Sequence, residues 1–125
     1  MNPTGEDLPR ASVIVPTYRS WDRLALCLSA LAAQTYPGGL IEIIVVNNDP
    51  DDPKPAGLEL PPNARLMTEA KKGSYAARNA GLAMATGDIL LFTDADCIPN
   101  PDWCLNAART LLASPGRGRF GGEID

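Results

Sequence analysis

Apolar residues in this chain come in short β-branched runs separated by stretches with helical spacing. Ser12-Val13-Ile14-Val15-Pro16 is a compact run closed by proline, the pattern of a buried first strand. Ser20 stands where it can cap the next segment, in which Leu24, Leu28 and Leu31 recur at helical intervals. Ala30, Ala32 and Ala33 raise helix propensity as far as Gln34, and Tyr36-Pro37-Gly38-Gly39 then stops the helix. Ile41-Glu42-Ile43-Ile44-Val45-Val46 is almost continuously apolar, as expected of a second strand covered on both faces.

From Asn47 to Asn63 the chain is rich in Pro, Asp and Gly and reads as an irregular loop. Arg65 to Thr68 suggests a short third strand. Ser74 through Ala85 has helical composition, with Thr86-Gly87 as its C-cap. Ile89 to Thr93 is a fourth strand. Asn100-Pro101 forms a cap-and-proline helix start, and that helix runs to about Ala113 before Ser114-Pro115-Gly116. A last strand is expected over Arg119 to Ile124.

This alternation predicts an α/β fold with a mostly parallel sheet, right-handed crossovers and flanking helices. Ligands of such sheets sit beyond the carboxyl ends of the strands. Pro16-Thr17-Tyr18-Arg19, Asn47-Asn48-Asp49 and Asp94-Ala95-Asp96 all fall there.

Composition narrows the chemistry. The 125 residues suit one domain, and a net charge of −4 gives no basic footprint for a nucleic acid. There is no histidine, and the three cysteines (Cys27, Cys97, Cys104) form no CxxC pair, which argues against zinc and excludes a histidine base. An odd cysteine count without a leader suggests free thiols in a reducing compartment. No apolar run reaches the length of a membrane span, and the opening MNPTGEDLPR lacks the layout of a signal peptide. The expectation is a cytoplasmic chain that meets a membrane surface only through segments it does not contain.

GDILLFTDAD, residues 87–96, runs a strand into two carboxylates. Close acids repel unless a cation lies between them, and oxygen ligands of this kind suit Mg²⁺ or Mn²⁺ shared with a substrate's phosphates. The alternative is a capped turn in solvent. The first strand lacks both the G-x-G-x-x-G turn and a phosphate loop, so a dinucleotide fold is disfavoured. Thr17 and Tyr18 could flank a base, or Tyr18 could be a packing residue. Lys71-Lys72-Gly73-Ser74 leads into a helix that contains Arg78 and Asn79, a setting that favours a diphosphate; Lys71 itself reads as solvated. Cys97 reads as a small filler, and Trp103 and Cys104 as packing. Phosphatases with an aspartate nucleophile also carry DxD, but after the first strand and followed by Thr or Val, where this chain has Ile98.

In order, ASVIVPTYRS, LAAQTYP, IEIIVVNND, KKGSYAARNAGLAMATGDILLFTDADCIPNPDW and GRFGGEID resemble the family 2 glycosyltransferases of GT-A fold, over residues 11–125. The resemblance implies a Rossmann-like donor-binding half after a tail at residues 1–10. It implies a nucleotide-diphosphate sugar, UDP before GDP or dTDP, bound with Mn²⁺ or Mg²⁺, and transfer with inversion to an acceptor it does not identify. By position, Pro16, Thr17 and Tyr18 would line the nucleoside pocket, with Asn48 facing the base. Gly73, Arg78, Asp94 and Ala95 would lie along the donor. Asp96 would ligate the metal directly, with Asp94 beside it or acting through water.

Two departures stand out. Asn47-Asn48 replaces the family's frequent aspartate, and the acceptor half with its catalytic base is expected beyond Asp125. The chain therefore reads as truncated, with a sheet edge or apolar face left uncovered. The rival reading is a nucleotide-binding module without transfer activity.

Overall fold

The computed structural model describes residues 8–112. The chain forms β1 (Ala11–Thr17), α1 (Trp21–Ala32), β2 (Ile41–Asn47), β3 (Ala64–Thr68), α2 (Ser74–Met84), β4 (Ile89–Phe92) and α3 (Trp103–Leu112), with one 3₁₀ turn at Gly38–Leu40. All strands are parallel, in the order β3-β2-β1-β4. Ala113 and the strand expected over Arg119–Ile124 lie outside the described residues.

Period-two alternation divides each central strand between two cores. Ala11, Val13 and Val15 of β1, with Ile41, Ile43 and Val45 of β2, pack with Leu24, Leu28 and Leu31 of α1 and with Trp103, Cys104 and Ala108 of α3. Trp103 and Cys104 thus pack as expected. Ile14, Ile44 and Val46 face the other way, onto Ala77 of α2. The helix on that side comes very close: a Cβ at Gly81 would stand 2.6 Å from Ile14 Cγ2.

Several element ends differ from the sequence reading, each for a local reason. Ser20 does not cap α1 with its side chain; its hydroxyl donates to Tyr18 O at 3.0 Å. The helix ends at Ala32, because Gln34 is recruited to join α1 to α3. Its Nε2 donates to Asn100 O at 2.7 Å, and its Oε1 accepts from Cys104 N at 2.9 Å. Gly87 is not a C-cap in the left-handed region. It is small because a Cβ there would meet Ser12 N at 2.7 Å and Arg10 O at 2.9 Å. α3 begins at Trp103 and not straight after Asn100, whose Oδ1 accepts from Asp102 N at 3.0 Å across a turn. Thr93, expected in the fourth strand, lies just past its end, although its N–H still donates to Ile14 O at 3.2 Å.

At the amino ends of the strands, buried Glu42 ties four segments together. It accepts hydrogen bonds from the Thr86 hydroxyl and from Ser12 Oγ at 3.3 Å, and it pairs with Arg10 at 3.6 Å and Arg65 at 3.4 Å. Burial pulls its pKa up, but the bonds from Thr86, the charge of Arg65 and the Ser12 hydroxyl outweigh this and leave it below 4.5. Residues 8–10 join the same framework. Leu8 packs on the core, Pro9 O accepts from the Tyr36 hydroxyl, and Arg10 N donates to Asp88 at 3.1 Å.

Candidate functional site

The carboxyl ends of the strands are not level, and this makes the cleft. β1 and β2 stay paired to Thr17 and Asn47, whereas β4 leaves the sheet at Phe92, opposite Ile14. The segment after β4 therefore turns beside the exposed end of β1. The resulting cleft is lined by Pro16, Thr17, Tyr18, Ser20, Asn48, Ser74, Asp94, Ala95 and Asp96. Seven of these, all but Ser20 and Ser74, are the donor and metal residues that the sequence leads one to expect. Ser74 enters the sequence reading only as part of the Lys71–Ser74 run that leads into α2 and favours a diphosphate.

Pro16 and Thr17 are buried as the last two residues of β1, and Tyr18 is half exposed at the mouth. The buried Thr17 Oγ1 makes no hydrogen bond in the structure, an acceptor and donor facing a cleft without a partner. Asn48 lines the cleft but spends its amide on the chain itself. Nδ2 donates to Glu69 O at 2.9 Å and to Lys71 O at 2.8 Å, and Oδ1 accepts from Gly73 N at 3.0 Å. Asn48 therefore fixes the loop that delivers α2, with both its amide hydrogens committed.

Gly73, at φ +112°, begins α2 without a side-chain cap. Its glycine character matters there, since other residues seldom adopt that angle. Ser74 and the uncapped first turn put helix N–H groups at the cleft, where they favour an anion. Arg78, one turn further, approaches Asp94 with Nη2 at 3.5 Å. Neither Gly73 nor Arg78 lines the cleft; each acts on a residue that does.

Asp94 is half buried and Asp96 exposed, with Ala95 buried between them. Bonds to one backbone oxygen define this turn: Asp94 O accepts from Cys97 N at 3.0 Å and from the Cys27 thiol at 3.7 Å. Ligand atoms of Asp94, Asp96 and Cys97 all lie within 4.8 Å of one another. Two carboxylates at that separation, open to solvent and to the cleft, fit a hard divalent cation that keeps some of its waters. Cys27 and Cys104 are inert by contrast, since burial pushes each thiol up to about 12.

One feature of the rim was not read from the sequence. Arg19 Nε donates to Asp49 Oδ2 at 2.7 Å, and this bond holds the Asp49 carboxyl below its ordinary range.

The sequence profile described as Glycosyl transferase family 2 matches residues 12–116. Glycosyltransferase AglE of Haloferax volcanii is 35% identical to 94% of this chain, which covers 40% of AglE. The uncharacterized glycosyltransferase YibD of Escherichia coli is 35% identical to 70% of the chain, which covers 26% of YibD. Among solved structures, the mannosyltransferase PcManGT from Pyrobaculum calidifontis, in complex with GDP-Man and Mn²⁺, superposes with a TM-score of 0.70 at 31% identity. That match covers 86% of this chain and 33% of PcManGT. TarS 1-349 of S. aureus in complex with UDP gives 0.70 at 27% identity, covering 87% of this chain and 37% of that one. The chain thus spans about 40% or less of each of these proteins.

Proposed function

The chain belongs to glycosyl transferase family 2, with the parallel sheet and flanking helices of the GT-A fold, and from that premise we propose that it is the donor-binding part of an inverting glycosyltransferase. The observation that carries the reading is the meeting of three segments in one cleft: the end of β1, the start of α2, and Asp94-Ala95-Asp96.

In this reading the ligand is a nucleotide-diphosphate sugar, with UDP the expected nucleotide. Pro16, Thr17 and Tyr18 form the nucleoside wall, and the free hydroxyl of Thr17 gains a partner from the ligand. Ser74 and the first-turn N–H groups of α2 face the diphosphate. Asp96 holds a divalent ion directly, and Asp94 does so beside it or through water, oriented by Arg78. Mn²⁺ or Mg²⁺ bound there supplies charge stabilisation for the departing nucleoside diphosphate. That PcManGT was captured with Mn²⁺ and a nucleotide sugar supports the assignment.

A second reading, a nucleotide-binding module that transfers nothing, is favoured by one feature. The acids that line the cleft are Asp94 and Asp96, both assigned to the metal, so no third carboxylate among the described lining residues could deprotonate an acceptor. The two readings separate on whether sugar from a UDP-sugar reaches any acceptor or only water.

The shared core of both is tested by calorimetric titration of UDP, GDP and dTDP into the chain, with Mn²⁺ and again with EDTA. Binding of one nucleotide that EDTA removes is expected. Binding that ignores EDTA would contradict the metal assignment, and no binding by the folded chain would contradict the donor site.

A further inference from the structure

We infer that Arg19 and Asp49 are positioning residues that hold the aromatic wall of the cleft in place before a ligand arrives, an inference that rests on the donor-site reading above. Arg19 is the one non-glycine residue with positive φ among the described residues, at +54°. Arginine has no preference for that region, which Gly, Asn and Asp enter more readily. A residue held there needs compensating contacts.

Two contacts supply them. Arg19 Nε donates to Asp49 at 2.7 Å, and the same guanidinium lies over the Tyr18 ring, its carbon 5.2 Å from the centroid. Asp49 is itself fixed by the turn after β2. Its N–H donates to Asn47 Oδ1 at 3.0 Å, its Oδ1 accepts from Asp51 N at 3.1 Å, and its carbonyl accepts from Asp52 N at 3.0 Å. A ring that is half exposed at the cleft mouth is thus tied, through one side chain, to a rigid turn on the neighbouring strand. Arg19 covers one face of the ring, and Tyr18 keeps 45% of its surface exposed at the cleft mouth, where a planar base could stack. Orienting the ring beforehand removes part of the entropy cost of stacking against it.

The test compares two probes on the full chain, UDP with Mn²⁺ and inorganic pyrophosphate with Mn²⁺, by calorimetry. Arg19→Gly suits the backbone angle but removes the guanidinium. Asp49→Asn keeps the turn's acceptor and the Arg19 backbone but removes the charge. Each single variant should weaken UDP by about three- to tenfold. Pyrophosphate, which has no base, should bind as before, and the double variant should be no worse than the weaker single. Arg19→Lys should recover part of the loss.

Unchanged UDP affinity in both variants would overturn the inference alone. So would a matching loss for pyrophosphate, which would make the pair a general scaffold. An unaltered chain that binds no nucleoside diphosphate would overturn the donor reading, and this inference with it.

Discussion

Asp94 and Asp96 have different surroundings, and their removal should have different consequences. Asp96 is exposed, with Cys97 Sγ 3.8 Å from its Oδ1 and the Asp94 carboxylate within 4.8 Å, whereas Asp94 is half buried beside Arg78. Asp96→Ala should abolish metal-dependent nucleotide binding. Asp94→Ala should weaken it by about 10- to 100-fold, the range for residues that act on a metal through water. Cys97→Ala should have little effect; a loss as large as that of Asp96→Ala in the same titration would contradict the ligand assignment. Thr17→Val probes the other wall. Its hydroxyl makes no bond in the structure, so thermal stability should not fall, while UDP affinity should drop by about 1 kcal/mol. A drop in melting temperature with unchanged affinity would make Thr17 a core residue only. At this scale the sequence shows the acids and the Pro16-Thr17-Tyr18 run, because strand ends and DxD are local signals. The use of Asn48 as a loop clamp and the Arg19–Asp49 pair depend on contacts between segments far apart in the chain, and no local pattern announces them.

The elements are held in register by Glu42 at one end of the sheet and by two close glycine contacts. Glu42→Gln should cost about 1–2 kcal/mol in denaturant unfolding, discounted because both arginine partners are half exposed. The folded pKa of Glu42 is depressed, so its contribution is present above its ordinary value of 4.5 and lost as pH falls through the lower folded value. The stability gap between the unaltered chain and Glu42→Gln should therefore close on acidification below pH 4.5. A gap that widens there would reverse the sign of the argument. Gly81→Ala would gain about 1 kcal/mol of helix propensity, but its Cβ meets the buried Ile14, and overpacking of about 1–3 kcal/mol should win. Gly87→Ala should cost more, because its Cβ meets backbone that cannot turn aside. Melting temperatures of the two variants check the order. Strands and helices were legible here from period and composition. Their ends were not: Gln34 and Gly87 read as ordinary helix-end residues until the contacts with α3 and β1 are seen.

For the molecule as a whole, the sequence pattern predicts a parallel sheet with helices on both faces, and the order β3-β2-β1-β4 places the cleft where such sheets bind ligands. What the pattern does not give is the stagger of β4 against β1, since register is set by packing across the sheet. That stagger brings Asp94 and Asp96 beside Thr17 and Tyr18. A second set of acids, Asp49, Asp51 and Asp52, lies on the turn after β2 and offers a control within the same chain. A cation bound at the proposed donor site should be held by Asp94 and Asp96 and not by this second set. The most direct measurement is paramagnetic broadening of backbone amide signals as Mn²⁺ is added with UDP. Signals of Thr17, Tyr18, Ser74 and Asp94 through Cys97 should broaden first and recover with EDTA. Broadening centred on residues 49–52, or spread evenly over the acidic surface, would contradict the assignment.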